Sequence, residues 1–450
     1  MKKNEIGVCF ITFAVTVILC ILLLALTSLI PRKAIQQNVE SSSEYFMSRK
    51  VYPMVIPEQF NTLTDLYGDA ILVNMLYHMD AEDGDFWSVL MRGGYYMAEN
   101  TDIRDGIQAS LESPVEPNQD HFHYWNGLLT LLRPLFLITD MQGAGFILGG
   151  LCLLLLLLTL FFLWKKGRKS LAVCYFLGFL LVNGWMILFC VEYMAMFLIM
   201  MIENLWVVLT WKKNQDMEKR NRQLLILMVA GGVVTAYLEL LTVETLTMTV
   251  PLFIELVMRR EEDGLQKGTK PLGSAIFFIK NTAAWGISYA LMFLLKWLLA
   301  LQCFGKEAFI KSLSQAALRI NGVAYTGNTT LSKTATMGQK LTGAISRNLT
   351  MLFPFKSRIE TSRGVLLFLL ILFLCSGVIY LYRRDDFRLK EITPFLFLGM
   401  IPFLRFLMLS SHSYQHYFFS YRALLITIMV LLYCTWEYGL KNKVGKHRTS

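Results

Sequence analysis

Two groups of residues carry side chains whose types and spacing suit chemistry. Asp65 and Asp69 are four residues apart, so on a helix they share one face. A carboxylate there can act as a general base for a substrate within hydrogen-bond reach. The second group is the polar stretch 410–422, in which His412 and His416 are also four residues apart. The two groups together supply carboxylates, imidazoles and the cation Arg422.

Arg405 stands just before this stretch, among apolar neighbours. An arginine at the centre of a membrane costs at least ~2.5 kcal/mol on the insertion scale, so it normally has a partner. A lipid phosphate is one candidate, because it accepts two charge-assisted hydrogen bonds from a guanidinium. The alternative is that Arg405 snorkels to the interface and the nearby aromatic residues form a belt.

The elements that must position these residues are membrane spans. Of the 450 residues 55% are hydrophobic and only 17% are charged, well below the charged share of a soluble domain. The apolar residues form runs of about 17 to 25, the length that crosses a bilayer. The first run follows Lys2 and Lys3, and we interpret it as an uncleaved helix rather than a secretory signal. The predicted spans are 6–30, 144–164, 171–189, 192–211, 223–240, 243–258, 273–302, 364–382, 392–409 and 422–439.

Basic residues mark one face of this predicted bundle. Twenty-three of the 43 Lys and Arg residues fall in short loops and tails at alternate span ends. The positive-inside rule makes these loops cytoplasmic, and ten spans then place both termini inside. The net charge of +10 is thereby assigned to loops facing anionic lipid, so nucleic-acid binding is not expected.

The predicted domain organisation follows from these spans. We expect an all-α integral membrane protein, with a large helical extracytoplasmic loop between helices 1 and 2. Residues 31–143 hold 16 of the 33 acidic residues, and helical spacing at 63–76 and 85–99 predicts helices on the membrane surface. Residues 124–139, with Arg133, are predicted to be interfacial or re-entrant. The segments are 1–30, the start and first helix; 31–143, the loop; 144–302, helices 2–7; 303–363, a second outer loop; and 364–450, helices 8–10 and a basic tail.

Polar groups concentrate at the outer ends of the predicted helices. Inner loops hold mainly Lys and Arg with acidic partners, whereas the outer side carries most histidines and the acids at helix ends. Catalytic chemistry is therefore expected at the outer face. The outer polar residues are His78, His121, His123, His412, His416, Glu192, Glu239, Glu244, Lys296, Arg405 and Arg422.

Several short segments together resemble the GT-C superfamily of membrane glycosyltransferases. They are 65–74 (DLYGDAILVN), 124–127 (YWNG) with 132–135 (LRPL), 237–242 (YLELLT) with 250–252 (VPL), and 412–422. Leu66 and Gly68 depart from the family pattern, which has an asparagine and a threonine there. Asn126 stands where histidine is usual, which puts an acid-base role there in doubt, and Glu239 replaces an aspartate but keeps the carboxylate.

The resemblance implies transfer of a sugar from a polyprenyl-phosphate donor to a glycan, lipid or protein acceptor. In that scheme Asp69, with Asp65 or Glu239, accepts the proton of the acceptor hydroxyl. The phosphate is held and stabilised as it leaves by Lys296, Arg405 and Arg422. The remaining predicted substrate-binding residues are His412, His416, Tyr124, Trp125 and Arg133.

A metal cofactor stays open. Asp83-Gly84-Asp85 resembles the DxD metal motif of other glycosyltransferases, but three letters in an acidic loop are weak evidence. His412 and His416 are a pair of potential zinc ligands for which no third ligand is identifiable. A divalent cation is therefore an alternative and the metal ligands are unknown.

Two other classes of protein fit the same sequence. A transporter or flippase for a lipid-linked glycan also needs many helices and an outer cationic site, and it predicts polar residues through the full membrane depth. A non-catalytic assembly or sensor protein would use the acidic loop to bind a partner. No nucleotide-binding loop or hydrolase motif is present in the sequence, so ATP-driven transport has no support.

Overall fold

The computed structural model describes residues 3–99, 101–213, 215–263, 271–322, 335–356, 361–384 and 387–441. Part of the second predicted outer loop and most of the basic tail lie outside them. So do six of the 23 basic residues that the positive-inside rule assigns to cytoplasmic loops and tails: Lys2, Lys267, Lys270, Lys443, Lys446 and Arg448. Within the described residues the chain is helical, with two isolated β-bridges and no strand. The predicted all-α class is confirmed to that extent.

The helices of the first half begin with one long apolar helix, followed by five shorter ones and then a series of long ones. They are α1 Lys3–Ser28, α2 Arg32–Met47, α3 Leu66–Tyr77, α4 Phe86–Arg92, α5 Ile103–Glu112, α6 Leu129–Leu135, α7 Met141–Lys165, α8 Lys169–Leu181, α9 Val191–Thr210 and α10 Met217–Leu238.

The second half alternates long helices with shorter ones. They are α11 Leu246–Asp263, α12 Pro271–Phe304, α13 Lys306–Asn321, α14 Met337–Thr350, α15 Thr361–Tyr382, α16 Thr393–Met408, α17 Ser410–Gln415, α18 Tyr417–Ser420 and α19 Leu425–Thr435.

Among the described residues, seven helical segments are long and apolar enough to cross a bilayer. The chain is therefore a multi-pass helical membrane protein. Each of the ten predicted spans overlaps a helix. However, α8 and α16 are shorter than a full span, and α11 is not among the helices that are long and apolar enough to cross a bilayer. The seven segments are Asn4–Ser28, Met141–Lys165, Val191–Thr210, Met217–Leu238, Ile276–Phe304, Thr361–Tyr382 and Tyr417–Leu440.

The spanning segments differ in how deeply they are buried. In α9 and in Tyr417–Leu440, 72% of the apolar stretch is buried inside the protein, whereas only 17% of that of α1 and 11% of that of α15 are buried. An apolar helix that stays exposed in the isolated protein is solvated by lipid. The central helices are thus α9 and the last span, with α1 and α15 at the periphery.

Polar contacts join the ends of several helices on one side of the bundle. Lys166 Nζ donates to the carbonyl of Trp211 at 2.7 Å, and Ser170 Oγ donates to Glu437 at 3.0 Å. Arg220 and Glu255 form a buried ion pair at 2.6 Å. These residues belong to, or adjoin, the loops that carry the basic charge. We call this side the basic end.

The segment between α1 and α7 contains α2 to α6. The helix expected within 63–76 is observed as α3, and it begins at Asp65, whose carboxylate accepts from the backbone N–H of Gly68 at 2.9 Å. The helix expected at 85–99 ends early at Arg92, because Gly93 adopts the left-handed conformation that terminates a helix. The second predicted loop, which showed weak patterning, contains α13 and α14.

Arg133 on α6 ties the end of α1 to the end of α3. Its side chain is fully buried and donates to the carbonyls of Ile30 and Leu76, with Asp80 3.7 Å away. These carbonyls lie at or near helix C-termini, where a cation is favourable. The prediction that Arg133 binds substrate therefore does not fit the structure, because internal contacts hold the guanidinium.

We expect Arg133→Leu to destabilise the protein, because each buried carbonyl left without a donor costs ~1–3 kcal/mol. Thermal unfolding of the detergent-solubilised protein measures the change. Lys33→Leu, an equivalent change at an exposed position beside the same helix end, is the control. Equal unfolding temperatures for the two variants would contradict the structural role of Arg133.

Candidate functional site

A cavity of about 210 Å³ brings together residues from every part of the chain. It lies at the end of the bundle opposite the basic end. Glu192, at the start of α9, lines the cavity, whereas Trp211, just after α9, contacts Lys166 of the basic end. Twenty residues of helix, about 30 Å, separate them. The polar and charged lining residues are Asp65, Tyr67, His121, Tyr124, Glu192, Gln315, Arg319, Ser411, His412, Gln415 and His416.

Two carboxyl groups meet on one side of this cavity. Asp65, the N-cap of α3, forms a side-chain hydrogen bond with Glu192, and both side chains are buried. Burial raises the pKa of Asp65 to about 6, and the backbone N–H groups of Gly68 and Tyr67 partly oppose this. Two carboxyl groups in contact are stable when they share one proton. The pair can accept a second proton, which is the requirement for a general base.

Gly68 makes this close approach possible. A Cβ atom at position 68 would lie 2.4 Å from Glu192 Oε2, which is closer than real contacts allow. Glu192 Oε2 itself is buried without a hydrogen-bond partner. The departure of Gly68 from the GT-C sequence pattern therefore has a local reason: any side chain there would displace the carboxyl group of Glu192.

Asp69 faces away from the cavity and holds the start of α9. Its two oxygens accept from the backbone N–H groups of Glu192 at 2.9 Å and Val191 at 3.2 Å. A carboxylate at these free N–H groups acts as a helix cap supplied from another segment. The structure thus pairs Asp65 with Glu192 rather than with Asp69. Asp65 is held in place because it caps α3, and Glu192 is held in place because Asp69 caps α9.

The cation that lines the cavity is Arg319 of α13. Its guanidinium donates to the hydroxyl of Tyr124 at 2.9 Å and to His123 Nε2 at 2.9 Å, and it also binds Gln315. All these acceptors are neutral, and within the described part of the chain no carboxylate lies within ion-pairing distance of Arg319. Its charge is therefore available to an anionic ligand, which a guanidinium binds well.

Three histidines complete the cavity wall. Burial lowers the pKa of His121 and His416 to about 4, and it lowers that of His412 well below the usual value. The rings are therefore neutral at pH 7. The rings of His412 and His416 lie 4.6 Å apart, and the Nδ1 atom of each is buried without a partner. Unpaired buried ring nitrogens beside a guanidinium can bind the polar atoms of a ligand.

Arg405 is engaged by the protein itself. It forms an ion pair with Glu244 at 2.9 Å and donates to the carbonyls of Leu241 and Thr242 and to Ser413. Leu241 has a φ of +62°, an unusual conformation for a residue with a branched side chain. Arg405 thus fixes the turn between α10 and α11 against α17. This does not fit the prediction that it binds the donor phosphate.

Four other predicted site residues lie outside the cavity lining. Lys296 is fully buried and donates to the carbonyl of Met91 at 2.6 Å. Trp125 is fully buried and donates to the carbonyl of Met292, so it offers no face for a sugar. Glu239 accepts from the hydroxyl of Tyr289, and Arg422 stacks on Tyr193. Of the residues predicted from the sequence, the cavity collects Asp65, Tyr124, His412 and His416.

A metal centre is not apparent in the described residues, where no three His, Cys, Asp or Glu side chains converge. Asp85 of the proposed DxD motif instead caps α4 by accepting from Ser88. His412 and His416 lack a third protein ligand here, as they did in the sequence.

Comparisons with other proteins give no further identification. No protein-family model, curated protein or solved structure matches this chain. The site must therefore be interpreted from its own geometry.

Asp69→Asn tests the cap of α9. Burial raises the pKa of Asp69 to about 7, so its contribution to stability is present at low pH and is lost as the pH rises from about 4 through 7. The neutral histidines contribute with the opposite slope, so the readout is the difference in unfolding temperature between variant and wild type. We expect this difference to shift in favour of the variant between pH 4 and 7, and then to level off. A difference that is constant with pH would contradict burial of an ionisable group at this cap.

Proposed function

We propose that this protein is a membrane glycosyltransferase that moves a sugar from a polyprenyl-phosphate donor to a glycan, lipid or protein acceptor of the cell envelope. The observation that carries the proposal is the single cavity in which Asp65 and Glu192 occur together with Arg319 and two neutral histidines. It combines a proton acceptor with a site for a phosphate leaving group. This pairing is what transfer from a lipid phosphate to a hydroxyl requires.

The residues divide the reaction between them. The acceptor hydroxyl oxygen attacks the anomeric carbon of the donor sugar and gives its proton to the Asp65–Glu192 pair. The bond from that carbon to the phosphate oxygen breaks, and the electron pair leaves with the phosphate. Arg319 then stabilises the charge on the phosphate, with the free nitrogens of His412 and His416 as additional contacts.

The proposal includes a finer topology. Ten spans, with α8, α11 and α16 counted beside the seven long ones, give a GT-C-like layout with both termini in the cytoplasm. The gathering of basic loops at the end remote from the cavity supports this orientation through the positive-inside rule. The cavity then opens on the outer face of the cell membrane, where lipid-linked sugars serve as donors for envelope glycans.

The transporter alternative rests on Glu203. This carboxyl group lies inside the bundle on α9, and both of its oxygens are buried without a partner. However, it packs against Gly231 of α10, and both helices continue unbroken past it. An alternating-access carrier is expected to have interrupted helices and a water-lined path at that depth. The assembly-protein alternative gives no reason for a buried carboxyl pair facing a cation.

The first experiment measures sugar transfer with purified protein in nanodiscs, using a polyprenyl-phosphate sugar and envelope acceptors. We expect Asp65→Asn to lower kcat by about 10²–10⁴-fold, since general-base catalysis contributes that much. Wild-type activity should rise with pH through about 6, as Asp65 loses its proton. Glu192→Gln retains an N–H donor to Asp65, so its activity should rise over the same pH range as that of the wild type. Glu192→Ala removes the donor, so the rise in activity should move to higher pH. Full activity in Asp65→Asn would exclude it as the base.

A second experiment separates donor binding from catalysis. We expect Arg319→Gln to weaken binding of polyprenyl monophosphate by about 10- to 100-fold, because a charged hydrogen bond contributes ~1.5–3 kcal/mol. Native mass spectrometry of the nanodisc complex measures the affinity. Arg347→Gln is the matched control, because Arg347 binds Tyr414 outside the cavity. Unchanged affinity in Arg319→Gln would contradict the assignment of the phosphate.

A further inference from the structure

The helix that supplies Arg319 has two different faces. Gln315, Leu318 and Arg319 of α13 line the cavity. On another side of the same helix Ile310, Leu313 and Ile320 are exposed large apolar side chains. Spacings of three and seven residues place these three in one stripe along the helix. Because one face of α13 borders a polar cavity, the apolar stripe on its other side needs an apolar environment.

The position of α13 connects this stripe to the lipid-facing surface. The helix starts directly after α12, at Gly305, whose φ of +79° allows the chain to turn sharply. Its other end is joined to the start of α17, two residues beyond the end of α16, because Ser410 Oγ donates to the carbonyl of Ile320 at 2.9 Å. Both flanking helices expose apolar side chains, which are Leu291, Leu294, Leu298 and Leu301 on α12 and Leu404, Leu407 and Met408 on α16.

The other exposed side chains of α13 are polar. Lys306, Glu307, Lys311 and Asn321 are exposed on α13, and Lys311 lies 3.8 Å from Asp120 of the large loop. An amphipathic helix attached to a spanning helix, with apolar and charged sides, is the type that lies in a membrane interface. The helix follows α12 directly and is bonded to the residue just beyond α16, and both of these helices expose apolar side chains, which favours lipid over a protein partner as the occupant of the stripe.

We propose that α13 lies in the membrane interface as the lipid-side wall of the cavity, so that the phosphate of a lipid whose chain lies along α12 and α16 enters beside it and reaches Arg319. The lipid contact of α13 stands on its own, whereas the identity of the entering lipid as the sugar donor rests on the proposed function. The helix thereby selects a phosphate carried by a long hydrocarbon chain over the same phosphate in water.

Fluorophore quenching tests the lipid contact. The half-buried cysteines Cys9, Cys303 and Cys375 are replaced by alanine, since the other five are buried. Leu313→Cys, Ile320→Cys and the control Lys311→Cys, on the opposite side of α13, are then labelled and placed in vesicles of phosphatidylcholine with brominated acyl chains. We expect strong quenching at positions 313 and 320 and weak quenching at position 311. Equal quenching at all three positions would overturn the interfacial placement.

Charge substitution tests the route of entry. We expect Leu313→Asp with Ile320→Asp to weaken binding of polyprenyl monophosphate by about tenfold or more, because acidic residues are unfavourable in lipid. Binding of a short-chain, water-soluble isoprenyl phosphate should not change. Lys311→Asp, an acidic change on the opposite side of α13, should leave both ligands bound. The route is overturned if the double variant binds the long-chain lipid normally, or if it loses both ligands equally.

The two proposals fail in different ways. If Arg319→Gln still binds polyprenyl monophosphate, the proposed phosphate site fails while the lipid contact of α13 stands. If labels at positions 313 and 320 are not quenched, the lipid contact fails while Arg319 can still bind phosphate from water.

Discussion

The candidate site depends on the carboxylate of Asp69, which binds the first backbone N–H groups of α9. Asp69 lies on α3, in the segment between the first two long helices, and α9 is one of the two most buried spans. This contact therefore joins the segment that contains α2 to α6 to the bundle of long apolar helices. It fixes the rotation and height of α9 against α3, and Glu192 is brought to Asp65 as a result.

Hydrogen bonding within the fold also determines which cations remain available to a ligand. A buried guanidinium needs acceptors for its N–H groups, and most of the arginines near the site find theirs in the fold. Arg133 donates hydrogen bonds to carbonyls at two helix ends, and Arg405 forms an ion pair with Glu244. Arg319 differs because its acceptors are neutral side chains and one carbonyl. A site for an anion is therefore better identified by the partner that a cation lacks than by the depth at which it lies.

The sequence predicted the helices well and the site only in part. Long apolar runs identify spans because the bilayer requires all backbone groups to be bonded within a helix; each predicted span overlaps a helix, and seven helical segments of the described chain are long and apolar enough to cross a bilayer. The N-cap of α3 and the polar character of residues 410–422 were also visible. The partnership of Asp65 with Glu192 was not, because it joins segments distant in the chain. Arg319 was missed because it lies in a weakly patterned segment where nothing in the sequence distinguishes it from a surface arginine.

Gly68 illustrates the limit of arguing from a motif. Compared with the GT-C pattern, a glycine at that position appears as a departure that weakens the resemblance. In the structure the missing side chain is what admits the carboxyl group of Glu192 to Asp65. The departure and the unexpected partner are thus one feature: a second acid occupies the space that a side chain would take. A site with two carboxyl groups sharing a proton holds less negative charge than one with two carboxylates. That state suits the proposed function, in which the anionic phosphate of a donor enters next to the base.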